Sequence, residues 1–143
     1  VIRLRRTVAD CDLALPNYTE ACYLAGVEYR EEGLTAAEVI PFIDRILSLG
    51  MSSVLVSSAR VDAVPAVIVY DSHTGEYMSL PYREVPVFFS GTGDIFSANL
   101  MRHLMNGRTL RDAALLTMEL LSVLIDTNKD APDKLEGLPY QSL

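Results

Sequence analysis

Apolar segments alternate with polar loops along the whole chain, with no internal repeat, low-complexity tract or Gly/Ser linker. Ala9 to Leu15 reads as a short buried strand that stops at Pro16–Asn17. A helix is predicted from Thr19 to Leu24, closed by Gly26. Thr35–Ala36–Ala37–Glu38 has the form of a capping box, in which a hydroxyl and a carboxylate satisfy free amides at a helix start. Val39, Ile40, Ile43, Ile46 and Leu47 follow at helical spacing, and Gly50 ends that helix. Ser53 to Ser57 is a short run rich in β-branched residues and predicts a buried strand.

Further along, Ala66–Asp71 and Glu76–Leu80 flank the polar, glycine-containing turn Ser72–His73–Thr74–Gly75, the pattern of a β-hairpin. Val85 to Phe89 reads as another strand. A helix is predicted from Asp94 to Met105, ending at Asn106–Gly107. Thr109 caps a second long helix whose apolar face carries Leu110, Ala113, Ala114, Thr117, Leu120, Leu121 and Leu124. The tail from Asp126 to Leu143 reads as irregular. Strands interleaved with helices in this order predict an α/β layer fold with a mainly parallel sheet flanked by helices, plus a hairpin.

Composition narrows the function. At 143 residues the chain is long enough for one domain and too short for two. Half the residues are apolar and 22% are charged, so a packed core is expected. A net charge of −7 argues against non-specific nucleic-acid binding, which draws on clustered Lys and Arg. The longest uninterrupted apolar stretch, Ala63 to Tyr70, falls far short of the ~20 residues of a membrane-spanning helix. Cys11 and Cys22 have no further ligands around them and do not form a zinc motif. They read as reduced thiols, although spacing alone leaves a disulfide open. His73 and His103 stand alone and read as surface or helix residues.

Two segments carry candidate chemistry. In the first, Phe88–Phe89–Ser90–Gly91–Thr92–Gly93–Asp94–Ile95, a strand gives way to a small-residue loop and then a helix. Glycines at 91 and 93 let the backbone approach a ligand closely. The amides of Thr92, Gly93 and Asp94 would lie at the positive end of a helix, an anion site. A carboxylate there repels a bound phosphate, but it suits a group that takes a proton from a hydroxyl beside a phosphoryl group in transfer. The simpler alternative is a tight turn with Asp94 as helix cap. The loop is neither a Walker A motif nor a dinucleotide fingerprint.

The second segment is Leu15–Pro16–Asn17–Tyr18–Thr19–Glu20–Ala21, at the end of a predicted parallel strand, where open sheets bind ligands. An amide and a carboxylate three apart suit a hydrated magnesium ion next to phosphates. The alternative is a capping box made by Asn17 and Glu20.

Together, Pro16–Asn17–Tyr18–Thr19–Glu20 and Gly91–Thr92–Gly93–Asp94 resemble the ribokinase-like superfamily, and in finer detail its pyridoxal (vitamin B6) kinase branch. Ser53–Val54–Leu55–Val56–Ser57–Ser58, Thr109–Leu110–Arg111–Asp112–Ala113–Ala114 and Glu136–Gly137–Leu138–Pro139 add to the resemblance. It implies ATP-dependent phosphorylation of the primary alcohol of pyridoxal, pyridoxamine or pyridoxine. Asp94 then matches the catalytic base. Gly91, Thr92 and Gly93 match the anion hole around the transferred group. Asn17 and Glu20 match the pair that organises Mg2+, through water, and the ATP phosphates. Ser57, with Ser58 beside it, matches a hydroxyl contact to those phosphates, where Thr is usual. Thr92, Val85 and Val87 join the nucleotide contacts, and 121–128 resembles a further adenine wall, although ordinary core serves equally for these apolar residues.

The resemblance also implies a cytoplasmic enzyme with a homodimeric parent. Members are about twice as long, and the chain opens on Val rather than Met. Residues 1–143 are therefore expected to be the carboxy-terminal, ATP-binding and catalytic-Asp part of a single kinase domain, an incomplete domain that exposes a sheet edge and lacks activity alone. Asp94, Asn17 and Glu20 are expected to face one crevice. Two other readings stay open. One is another small-alcohol kinase, for a hydroxymethylpyrimidine or a sugar, although Cys is expected at position 94 in the pyrimidine kinases. The other is a non-catalytic nucleotide-binding fragment.

Overall fold

The computed structural model describes residues 12–83 and 92–128. The chain divides into two compact units, 1–82 and 83–143.

In the first unit, β1 (Leu13–Ala14) leads into α1 (Tyr18–Ala25), a 3-10 turn (Ala36–Glu38) runs into α2 (Val39–Leu47), and three strands follow: β2 (Ser53–Val61), β3 (Val64–Asp71) and β4 (Glu76–Pro81). They form one sheet in the order β1-β2-β3-β4. The β1–β2 pair is parallel, with Leu13 opposite Ser53. The β2–β3 and β3–β4 pairs are antiparallel. The expected α/β fold and its hairpin are present, but among the described residues the sheet is mixed rather than mainly parallel.

The difference comes from a second hairpin. The strand read as ending at Ser57 continues to Val61 and turns back through Asp62 and Ala63, whose φ angles are 51° and 66°. A two-residue turn with both residues left-handed matches the twist of the strands it joins, and Asn-Gly or Asp-Gly is its usual signature. Asp-Ala adopts it here without the glycine. The far end of β2 also gains a partner in the loop before α2. Leu34 donates its N–H to the Arg60 carbonyl at 2.9 Å, and Asp62 donates to the Leu34 carbonyl at 2.9 Å. Gly33 permits this approach, because its φ is 80° and a Cβ there would collide with the Arg60 backbone.

The β3–β4 hairpin follows the sequence reading. Gly75 takes φ 71° and donates to the Asp71 carbonyl at 2.8 Å, while His73 N–H is accepted by the Asp71 carboxylate at 2.9 Å. On one sheet face, Tyr18, Ala21, Cys22, Phe42, Ile43 and Ile46 from the two helices bury Val54, Val56 and Ile68. By strand alternation Leu55 and Val69 point the other way, and they too are fully buried. Cys22 is a buried free thiol, and Cys11 lies outside the described residues.

The second unit holds α3 (Thr92–Met105) and α4 (Leu110–Asn128). The first of these begins at Thr92, two residues before the sequence reading, and the second runs past Asp126 to Asn128. Gly107, at φ 85°, follows the end of α3. The Thr109 hydroxyl accepts the Asp112 N–H at 3.1 Å and caps α4 as expected. Ile95, Leu100, Ala113, Ala114, Leu121 and Leu124 are buried, and Leu120 is half-buried. Between the helices, Asn99 donates to the Thr117 hydroxyl at 3.3 Å and accepts from Arg102 at 2.9 Å, so the polar groups in this contact are satisfied. Arg83 makes a forked contact with both oxygens of Asp126 at 3.1 Å. The strand read at 85–89 and the tail from 129 lie outside the described residues.

Candidate nucleotide and phosphoryl-transfer site

The first group of candidate residues gathers where β1 ends. The Ser57 N–H donates to the Pro16 carbonyl at 3.0 Å, and Asn17 and Ser57 form a parallel bridge just beyond the strand pair. Asn17, at ψ 173°, is still extended, and the chain turns into α1 at the next residue. The Asn17 side chain accepts the Glu20 N–H at 2.8 Å, and the Glu20 carboxylate accepts the Asn17 N–H at 3.1 Å. The capping box is therefore real. It does not displace the other reading, because it fixes both side chains, exposed, at the positive end of a helix lying beside a strand terminus.

Packing holds that helix start in place. Tyr18, its first residue, is buried, with ring centroids 5.5 Å from Tyr29 and 5.9 Å from Phe42. Burial, with the Cys22 thiol alongside, pushes the Tyr18 phenol up to about 12.

Ser57 and Ser58 interrupt β2. The pairing with β3 runs regularly to Val56 opposite Ile68, then resumes with Ala59 opposite Ala66. Two residues of β2 thus face Val67 alone, which is a β-bulge. Ser58 has φ 58°, a left-handed conformation that costs a side-chain-bearing residue roughly 1–2 kcal/mol. Asn17, Glu20, Ser57 and Ser58 are thus neighbours in the fold. The bulge had no sequence signal, since no glycine marks it.

Among the described residues no group of three or more His, Cys, Asp or Glu side chains comes together. The donor set fits a magnesium ion that keeps most of its water and is shared with phosphates: one exposed carboxylate, with one oxygen in the cap, and an adjacent amide. Glu20→Gln tests this cleanly, because Gln also closes a capping box. Melting should stay close to that of the parent chain. ATP binding in MgCl2 should weaken about tenfold, as expected for losing a charged partner, while binding in EDTA is unchanged. Equal loss in both buffers would remove the magnesium role.

The second group lies in the other unit. Thr92, Gly93 and Asp94 are the first three residues of α3, whose opening amides have no partner within the helix. Asp94 is therefore inside the first turn and not the cap. Its carboxylate is exposed and has no hydrogen-bond or ion-pair partner among the described residues. Gly93 is exposed, and a Cβ built there meets nothing within 4 Å. Among the described residues, neither backbone conformation nor packing requires glycine at that position. Gly91, Val85 and Val87 lie outside the described residues.

The chain is similar to known proteins over most of its length. Over 128 residues the chain is 31% identical to the pyridoxal kinase PdxY of Rubrobacter xylanophilus, spanning 85% of this chain and 41% of that protein. The chain is homologous to part of that kinase. No protein-family model matches the sequence. The solved structures show the ribokinase-like fold. A protein from Bacteroides thetaiotaomicron proposed as a phosphomethylpyrimidine kinase superposes with a TM-score of 0.86 at 24% identity, over 98% of this chain and 49% of that one. A second crystal form of that protein contains pyridoxal. Pyridoxal kinase from Lactobacillus plantarum gives a TM-score of 0.80 at 19% identity, over 96% and 49%. The chain thus spans about half the length of the relatives it matches. No helix among the described residues is long and apolar enough to cross a membrane.

Proposed function

We propose that the chain supplies the nucleotide-phosphate and general-base parts of an ATP-dependent kinase for vitamin B6 compounds, converting the primary alcohol of pyridoxal, pyridoxamine or pyridoxine to its 5′-phosphate. The observation that carries the reading is the start of α3, where a carboxylate without a partner among the described residues follows a glycine that no described residue packs against. Asp94 takes the alcohol proton as the alcohol oxygen attacks the terminal phosphorus of ATP, the bond from that phosphorus to the β–γ bridging oxygen breaks, and ADP leaves with the bonding pair. The amides of Thr92 and Gly93, with Gly91, receive the negative charge on the transferred group. Asn17 and Glu20 hold hydrated Mg2+, which supplies charge neutralisation of the phosphates, and Ser57 donates to those phosphates.

Kinship at 31% identity to a pyridoxal kinase supports the B6 substrate over other small alcohols. The Bacteroides neighbour favours a second reading, a hydroxymethylpyrimidine kinase, although that protein was also crystallised with pyridoxal. The chain, joined to the portion of the Rubrobacter kinase that it does not match, should convert pyridoxal with MgATP to pyridoxal 5′-phosphate at a higher kcat/KM than it phosphorylates hydroxymethylpyrimidine. The reverse order would establish the second reading, and no transfer to either alcohol would refute both.

A further inference from the structure

A helix that packs on one neighbour needs one apolar stripe. In α4 that stripe is Leu110, Ala114, Thr117, Leu121 and Leu124, all buried. A second apolar row runs beside it. Ala113, Leu116, Leu120 and Val123 recur at alternating spacings of three and four residues, the repeat of a seam between two paired helices. Burial falls away along this row: Ala113 is fully buried, Leu116 and Leu120 are half-buried, and Val123 is 56% exposed. Leu115, 40% exposed, is a different case. It lies off the row, with Arg111, Asp112 and Glu119 one turn away, and stands as a single surface leucine. Glu119 and Asp126, seven residues apart, border the row on one side. Arg83 is bonded to Asp126 at 3.1 Å, whereas Glu119 has no ion pair among the described residues.

Charge and chain length choose the occupant. Pairing α4 with a second copy of itself about a two-fold axis would set the Glu119 and Asp126 borders against each other, acid against acid. The matched stretch is 41% of the Rubrobacter kinase and 49% of the Lactobacillus one, so more than half of such a protein lies beyond it. We propose that Leu116, Leu120 and Val123 form a docking seam for a helix from the kinase portion that the chain does not match. That helix carries apolar residues at the same alternating spacing, with Lys or Arg on the border that faces Glu119. The seam needs neither nucleotide nor alcohol, so it stands or falls apart from the kinase reading above.

The test is accessibility, compared between the 143-residue chain and the same chain joined to the unmatched portion of the Rubrobacter kinase. Val123→Cys and Leu115→Cys are each treated with N-ethylmaleimide in the absence of nucleotide. Mass spectrometry reads the label residue by residue and so separates these positions from Cys11 and Cys22. Val123→Cys should react rapidly in the 143-residue chain and at least about tenfold more slowly in the joined chain, while Leu115→Cys reacts at the same rate in both. Adding Glu119→Lys to the joined Val123→Cys chain should speed labelling about two- to fivefold, the scale of an exposed ion pair. Hydrogen exchange on the unaltered chains needs no variant, and the amides of 116–124 should exchange more slowly in the joined chain. Equal labelling and equal exchange in the two chains would leave the row uncovered and overturn the proposal. Slow labelling of the 143-residue chain that quickens on dilution would make a second copy the occupant. Equal protection at positions 115 and 123 would remove the seam, and indifference to Glu119→Lys would remove its basic border.

Discussion

Asp94→Asn should lower turnover by about 100- to 10,000-fold, the usual cost of losing a general base, while ATP binds as well as before or more tightly. Asn has nearly the size of Asp and cannot take the alcohol proton. It also removes a negative charge from the neighbourhood of the phosphates. The fold should tolerate the change, since Asp94 has no partner among the described residues. What remains is its interaction with the positive end of α3, a matter of about 0.3–1 kcal/mol. The chain contains its own control. Asp112 occupies the same place in α4, third in its helix, after the cap at Thr109. Asp112→Asn should cause a similar small loss of stability and leave turnover alone. Steady-state kinetics on the kinase assembled with the portion that the relatives carry separates the two. Equal, modest effects from both variants would reduce Asp94 to a helix-end charge.

That control also shows what the sequence could and could not convey. Asp94 and Asp112 look alike as first-turn acids, and composition does not distinguish them. Their surroundings do: Asp112 follows a Thr cap, and Asp94 follows a glycine at which a Cβ would meet none of the described residues. The same holds at α1. Asn17 and Glu20 read equally as a cap and as a magnesium pair because both roles use one exposed amide and one carboxylate at helical spacing. The structure shows the cap directly and makes the two compatible, since the box holds the pair at the end of β1.

The elements most legible in the sequence were those closed by glycine. Gly26 ends α1 in the left-handed conformation, Gly75 shapes the β3–β4 turn, and Gly107 follows α3. The elements that escaped it use the same backbone conformation on other residues. Asp62 and Ala63 turn β2 into β3, and Ser58 forms the bulge. In each case tertiary pairing overrides local preference: the turn is flanked by Val61 opposite Val64, and the bulge by Val56 opposite Ile68 and Ala59 opposite Ala66. The missed turn is also what joins the hairpin to β2 as an antiparallel pair and makes the sheet mixed.

The other large effect concerns the 143-residue chain by itself. With MgATP and pyridoxal it should form no pyridoxal 5′-phosphate above the uncatalysed background, although it should still bind MgATP. The roles proposed above for these groups are toward phosphates, a metal ion and a proton; none of them is proposed to surround an alcohol. The resemblance to B6 kinases assigns most of the vitamin pocket to the portion of those proteins that the chain does not match, and the matched stretch is 41% of the Rubrobacter kinase. Phosphoryl transfer depends on placement, because there is little covalent work for the protein to do. Holding two reactants in register is equivalent to local concentrations of about 10⁵–10⁸ M, so an acceptor left to diffuse forfeits nearly all of the acceleration. Adding the unmatched portion, in one chain or as a separate polypeptide, should restore transfer, and Asp94→Asn should abolish it again. Chromatographic assay of the product decides the matter. Turnover of pyridoxal by the chain alone would mean that these residues build an alcohol site as well, and the division of labour argued here would be wrong.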